Sequence, residues 1–307
     1  MSAASDRSAP EPRSFHHSRF TAERIAAERS VSVTVCLPAK ECAETVGEIV
    51  RTLCALRSAG AIDEVLLIDA ASRDGTAELA LAAGASVRQE AELMPWAGPV
   101  LGKGDAMWRA LSVIDSDVVC FLDADTEAFG AHFATGLIGP LVCEPEVVFA
   151  KAFYRRPFIH GEMRIAEGGG RVNHLMARPA LALFYPQLAG VRQPLAGEVA
   201  ARRDLLEQLA FVTGYGVEVG MLIDVWQRVG LRAIAQVDLD EHRNRHQPLA
   251  ELAPMAATVL ATIAARAQRD GRLTAEVSAP TERPPLASLG EQRTASAQAD
   301  HRMAPRA

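Results

Sequence analysis

The 307-residue sequence lacks a basic excess: 32 lysines and arginines stand against 38 aspartates and glutamates, a formal net charge of −6. A general nucleic-acid binder normally carries the opposite balance, so that class is disfavoured, while local basic sites for anionic small molecules stay open. Paired cysteines are also missing. The five present, Cys36, Cys42, Cys54, Cys120 and Cys143, are odd in number and none has the CxxC spacing of a metal site. They read as free thiols of a reducing cytosol, with Cys36 and Cys120 inside apolar runs. No stretch of eighteen apolar residues occurs, so no membrane span is expected. The opening "MSAASDRSAPEPRSFHHSRF" has no apolar signal core, and residues 1–20 read as a disordered leader. Residues 268–307, rich in Ala, Pro, Arg, Glu and Ser, read as a disordered tail.

What is present is a 49% hydrophobic chain, enough for a sizeable core, with strands alternating with helices. "VSVTVCLP" (31–38), "DEVLLID" (63–69) and "DVVCFL" (117–122) are apolar throughout, and 85–88 offers a short further strand. Helical spacing covers 21–29, 44–56 and 104–113, and a helix follows the turn at Asp74-Gly75. Alternation of this kind predicts an α/β fold with a mostly parallel sheet and helices on both faces. In such sheets ligands sit beyond the carboxyl ends of the strands. Each of the three strands ends there in a polar cluster: Pro38 to Glu41, Asp69 to Asp74, and Asp123 with Asp125. The second half is more helical. It carries a strand with a basic end in "EVVFAKAFYRRP", a glycine turn opening a helix in "EGGGRVNHLMARP", and a helix in "GYGVEVGMLIDVWQRVG". A strand running into a charged loop in "RAIAQVDLDEHRNRH" and a last helix over 250–266 follow. Residues 21–150 and 151–267 thus read as two regions of one unit.

Two aspartates one residue apart repel unless a cation or proton lies between them, which makes Asp123-Ala124-Asp125 a candidate for a hard divalent ion beside phosphate. A plain solvated turn is the bland alternative. "GPVLGKGD" (98–105) is not a Walker loop, because its glycine spacing is one residue short and Gly104 replaces the Ser or Thr that would hold magnesium. It still combines flexible backbone, Lys103 and a helix start, which suit an anion. "GGGRVNH" (168–174) sets bare amides and Arg171 at a helix N-terminus, fit for phosphate or carboxylate or simply a hinge. Arg155 and Arg156 read as surface charge or as its neighbours. His242 is a candidate ligand or a solvent-facing loop residue. Glu218, amid apolar helix neighbours, needs a partner if buried.

Together these motifs resemble a known family. "LPAKECAETV", "LLIDAASRDGT", "GKGDAMWRAL", "FLDADT", "KAFYRRP", "GGGRVNHLMARP", "QPLAGEVAARRDLL", "GYGVEVGMLID", "AIAQVDL" and "HRNR" follow the order found in glucosyl-3-phosphoglycerate synthases, and mannosyl-3-phosphoglycerate synthases share much of the pattern. The resemblance implies a GT-A fold and a retaining glycosyltransferase, cytoplasmic and homodimeric. UDP-glucose would be the donor, 3-phosphoglycerate the acceptor, and Mg²⁺ the cofactor, with Mn²⁺ or Co²⁺ as substitutes. It makes 21–150 the nucleotide-sugar-binding region and 151–267 the acceptor-binding region of the same GT-A unit, and places Pro38, Ala39, Glu41, Ala70, Lys103, Asp123 and Ala124 at the donor. Gly170, Arg171, Asn173, Tyr215 and Asn244 fall at the acceptor, and Asp125 and His242 on the metal. Asp125, Lys103 and Glu218 would carry catalysis, Glu218 by holding sugar hydroxyls.

Three positions depart from the pattern: Lys40 stands where Asn is expected, Asn173 where Thr is expected, and Asp240 where Arg is expected. The last removes a positive charge near a phosphorylated substrate. A mannosyl-3-phosphoglycerate synthase using GDP-mannose, a sugar nucleotidyltransferase and a non-catalytic nucleotide-sugar binder are the alternatives. "LPAKECAET" lacks the glycine-rich fingerprint a nucleotidyltransferase places after its first strand.

Overall fold

A computed structural model describes residues 11–160, 163–165, 168–243 and 248–274. The chain runs β1 (Arg13–His16), α1 (Ala22–Glu28), β2 (Val33–Ala39), α2 (Val46–Ser58), β3 (Glu64–Asp69), α3 (Thr76–Ala83), β4 (Ser86–Gln89), α4 (Lys103–Ala110), β5 (Val118–Phe121), α5 (His132–Cys143) and β6 (Phe149–Arg155). A two-stranded antiparallel hairpin follows, β7 (Phe158–His160) with β8 (Met163–Ile165). Then come α6 (Arg178–Phe184), β9 (Val199–Arg202), α7 (Arg203–Leu206), α8 (Val217–Val229), β10 (Ile234–Glu241) and α9 (Leu249–Arg269).

The main sheet has eight strands in the order β1-β10-β6-β9-β5-β2-β3-β4. Every neighbour pair is parallel except those of β9, which runs antiparallel between β5 and β6. Residues of β2 such as Val33, Val35 and Leu37 face one apolar layer with α2 and α5, while Cys36 faces the other with α4 and α8. Both layers are buried, which is why the strands read as unbroken apolar runs. Because β2, β3 and β5 are parallel, their loaded ends meet along one edge, as the sequence led one to expect.

Two expectations about the ends change. Residues 13–20 are not a disordered leader: β1 adds a parallel edge strand to β10, with Phe15 opposite Val237, and Phe20 is buried against α5. Backbone pairing and one aromatic anchor order a segment too polar to announce itself. Toward the tail, α9 continues to Arg269, where Arg266 and Arg269 both reach the buried Asp224 at 2.9 Å. Residues 275–307 and 1–10 lie outside the described residues.

α5 also escaped the sequence reading. Its "HFATGLIGPLVC" holds two glycines and a proline, each a helix penalty of about 1 kcal/mol or more. The glycines are there for approach: a Cβ on Gly139 would lie 2.2 Å from the Phe20 ring, and one on Gly136 2.7 Å from Leu239. By length and composition alone α9, with a mean hydropathy of 1.3, is long and apolar enough to cross a membrane. One stripe of it, Val259, Ile263 and Ala267, is buried against the body.

Candidate active site

The polar strand ends converge on a lysine. Lys103, the first residue of α4, places Nζ 2.6 Å from Asp123 Oδ1 and 3.2 Å from Glu218 Oε1 on α8. Burial works against its charge, but Asp123 and Glu218 outweigh that and keep it protonated. Gly197 makes room: a Cβ there would sit 2.6 Å from both Lys103 Nζ and Asp123 Oδ2. Both are the movable ends of side chains, so Gly197→Ala is expected to fold while pushing the pair apart. A misplacement of about 1 Å at a reacting centre costs on the order of 10²-fold in rate. Turnover should fall by about that factor with the melting temperature little changed, measured by steady-state kinetics and circular dichroism.

Asp123 and Asp125 lie on a turn just past β5, so they do not continue the strand's alternation. Asp125 reaches solvent, yet desolvation by the cleft walls, followed by the charge of Asp123, lifts its carboxyl above the usual range, and His242 opposes that shift. His242 is buried. Its Nε2 lies 2.9 Å from Glu198 Oε1 and 3.2 Å from Thr126 Oγ1, and its ring stacks on Tyr154 at 4.5 Å. The Glu198 contact is a close approach rather than an aligned hydrogen bond, and His242 Nδ1 is buried without a hydrogen-bond partner. Burial alone would raise Glu198, but His242, Lys103 and the Tyr154 hydroxyl hold it down at about 2. Lys151, fully buried, donates to Ala196 O at 2.7 Å, and burial pushes its amine down to about 8.

These observations fit a divalent cation. Asp123, Asp125, Glu198 and Glu218 outnumber the two ammonium groups, an imidazole is oriented by a carboxylate on one nitrogen, and its other nitrogen is bare.

The remaining predicted residues distribute as follows. Pro38 and Ala39 end β2, and the Ala70 N–H donates to Ala39 O at 2.9 Å. Glu41, at φ +54°, accepts from the Arg73 N–H, and the Ala124 carbonyl accepts from Thr45 Oγ1. These form one contiguous edge with Asp123. Tyr215 is exposed in the turn leading into α8. Gly170 at φ +67° opens the helix that continues into α6, with Arg171 next to it. Asn173 is spent elsewhere: its buried amide braces Arg192 O and the Leu195 N–H at 3.4 Å each. Asn244 lies outside the described residues. Asp240 turns toward β1, meeting His17 at 2.8 Å.

Beside the glycine turn is a cavity of about 540 Å³ lined by Arg155, Arg156, Arg178, Arg192 and His174, with Asp238 as the acidic member. Tyr154 lines it too and stacks on His242 from its other side, joining the basic cavity to the acidic cluster. Sequence reasoning missed Arg178 and Arg192, and also Gly197, Glu198, Lys151 and Tyr154. The last four had a signal: "VVFAKAFY" carries a lysine inside an apolar strand, and "GEVAAR" an acid at the threshold of one.

At the end of β4, Glu90 is buried with Oε1 unpartnered, and burial, then Asp105, lift its carboxyl to about 7. The unfolded chain ionises it near 4.5, so the stability it carries is full below that and is lost as pH rises through 7. Glu90→Gln is expected to stabilise by about 2 kcal/mol at pH 8 and not at pH 4. Urea unfolding at both values tests this, and an equal shift at both would contradict it.

The comparisons with known proteins agree with this geometry. Residues 34–164 match the family model described as glycosyl transferase family 2. The glucosyl-3-phosphoglycerate synthase of Mycolicibacterium smegmatis is 42% identical over 245 residues, 80% of each chain. The chain belongs to the glucosyl-3-phosphoglycerate synthase family. Among solved structures, that of glucosyl-3-phosphoglycerate synthase from Mycobacterium tuberculosis with Mn²⁺, UDP-glucose and phosphoglyceric acid has a TM-score of 0.76 at 38% identity, covering 84% of this chain and 88% of that one. The mannosyl-3-phosphoglycerate synthase from Rubrobacter xylanophilus has a TM-score of 0.79 at 46% identity, covering 86% and 84%. Membership in this glycosyltransferase family accounts for the GT-A arrangement of the sheet and its helical C-terminal part.

Proposed function

We propose that this chain moves glucose from UDP-glucose to 3-phosphoglycerate with retention at C1, releasing UDP. The observation that carries the reading is the junction at Tyr154, where an arginine-lined cavity sized for a small phosphorylated acid meets the carboxylate cluster. Pro38, Ala39, Glu41, Ala70 and Ala124 line the edge that takes the nucleotide. Arg155, Arg156, Arg178 and Arg192, with Gly170 and Arg171, offer guanidinium and amide donors to the acceptor's phosphate and carboxylate. Asn244 belongs to the same proposal by its motif position.

Asp125 and His242 would hold Mg²⁺, or Mn²⁺ or Co²⁺ in its place, and the bound ion supplies Lewis-acid stabilisation of the departing diphosphate. Glu198 orients His242 for that task. Lys103, held by Asp123 and Glu218, adds a fixed positive charge at the same point; one preorganised donor is worth roughly 3 kcal/mol. Glu218 and Asp123 accept the sugar hydroxyls and fix the ring. The bond from C1 to the diphosphate oxygen breaks, and the acceptor hydroxyl oxygen bonds C1 on the face just vacated. Its proton passes to the released phosphate oxygen, so no protein base or nucleophile is needed.

A second reading draws on the higher identity to the Rubrobacter structure: transfer of mannose from GDP-mannose. Incubation with Mg²⁺, 3-phosphoglycerate and UDP-glucose, GDP-glucose or GDP-mannose, with products assigned by mass and NMR, separates the two. α-Glucosyl-3-phosphoglycerate with UDP supports the first reading and a mannosyl product the second. Pyrophosphate-dependent exchange or binding without turnover removes both.

A cytoplasmic homodimer completes the proposal. Leu249 and Leu260 of α9 and Leu183 of α6 are exposed on helices that pack together, an apolar surface a second copy would cover. Sedimentation equilibrium tests it.

A further inference from the structure

A group of metal-binding side chains lies outside the cluster described above, at the edge of the sheet. His16 closes β1 and His17 opens the 3₁₀ turn His17–Arg19 that follows. Neighbours in a continuing strand would face opposite sides. The turn brings both rings to one side instead, with centroids 4.4 Å apart. Their Nε2 atoms meet one carboxylate: His17 at 2.8 Å from Asp240 Oδ2 and His16 at 3.5 Å from Oδ1. The three ligand atoms all lie within 4.8 Å of one another.

The backbone is shaped for this meeting. The ladder between β10 and β6 breaks register between Asp238 and Glu241, and within the break Asp240 adopts φ +65°, with its N–H donating to Asp238 Oδ1 at 3.0 Å. Such a bulge re-aims a side chain, here toward β1. A left-handed φ is uncommon for a residue other than glycine and is tolerated best by Asp and Asn. Ser18 holds the His16 ring from its far side, with Oγ 2.8 Å from Nδ1 and its backbone N–H donating to the same nitrogen at 3.3 Å, which leaves Nε2 facing Asp240. His132 forms the wall behind His17, its ring 4.5 Å away.

We infer that His16, His17 and Asp240 form a second metal site, distinct from Asp125 and His242, that takes a borderline transition-metal ion of the Zn²⁺ class. Two imidazoles and one carboxylate suit zinc, cobalt or nickel over magnesium. Metal bonds of about 2.0–2.1 Å at tetrahedral angles place neighbouring ligand atoms about 3.3 Å apart, a spacing that three ligand atoms already within 4.8 Å of one another reach by small side-chain rotations. Three protein ligands leave one position open to water. Arg155, 3.7 Å from Asp240 Oδ1 and largely exposed, is the cation the metal displaces. The ion would clamp the N-terminal edge strand to the stretch of chain that leads, two residues later, into His242. It would also give position 240, where the family pattern has arginine, a use that only an acid can serve.

Zn²⁺ added to the metal-free, nucleotide-free full chain at pH 7.5 and followed by competition with a chromophoric chelator tests the site. A class of one tight ion per chain is expected, weakened at least tenfold by His17→Gln or Asp240→Asn and unchanged by His242→Gln. Anomalous scattering at the zinc edge from soaked crystals should place the ion about 2.1 Å from His16 Nε2, His17 Nε2 and an Asp240 oxygen. Affinity untouched in His17→Gln, or abolished in His242→Gln, overturns the inference. Should either variant fail to fold, the wild-type anomalous map decides alone: no peak among these three side chains refutes the site.

Discussion

Asp125→Ala is expected to lower kcat by about 10³-fold or more without loss of stability. Asp125 sits on an exposed turn, and its carboxyl is raised by desolvation and by Asp123, so its charge is a burden to the folded chain in the absence of a cation. Removing it should leave the melting temperature level or slightly higher. What is lost is an anionic ligand at the point where the diphosphate departs. Lewis-acid stabilisation there is worth several kcal/mol, and each 1.36 kcal/mol is tenfold in rate. His242 needs a gentler substitution, because alanine would leave the buried Glu198 without the polar ring beside it, a loss of about 3 kcal/mol. His242→Asn keeps a donor for Glu198 and should lose turnover to a similar degree while folding. Wild-type kcat in either variant, or in wild type after exhaustive chelation, would remove Asp125 and His242 from the mechanism.

The readable part of this fold is the part whose physics is local. β2, β3 and β5 are buried on both faces, so their apolar runs and polar ends stand out in sequence, and with them Asp123, Asp125 and Lys103. α8 showed its helical period and Glu218 in it. The hidden elements depend on distant partners. β1 is held by β10, more than two hundred residues away, and α5 is a helix whose glycines are placed for Phe20 and Leu239. Glu198 was hidden for the same reason: a lone acid before "VAAR" gains meaning only when β9 runs antiparallel between β5 and β6 and delivers it to His242. "GKGD" was legible as a site but not in its physics. Its lysine is held in place by two carboxylates distant in sequence, and its second glycine serves packing.

That glycine carries the last large expected effect. A Cβ on Gly104 would lie 1.9 Å from Val212 O and 3.0 Å from Val217 Cβ. The nearest atom is backbone, so no rotamer change relieves the clash; α4 or the segment before α8 must move. In an open helix the same change would stabilise by about 1 kcal/mol through propensity. Here overpacking reverses the sign, and Gly104→Ala should cost about 3 kcal/mol or more. Gly47 of α2 supplies the contrast, because its Cβ would meet only the movable Arg51 guanidinium at 3.3 Å, so Gly47→Ala should be neutral or stabilising. Val212 also leads into the turn before Glu218, and Lys103 is the residue next to Gly104. Any shift that accommodates the methyl therefore separates Lys103 from Glu218, and turnover should fall in the fraction that still folds. Urea unfolding paired with kcat measures both effects. A Gly104→Ala protein as stable and as fast as wild type would mean that α4 and the 212 segment do not meet as described, and the lysine-centred site would lose its support.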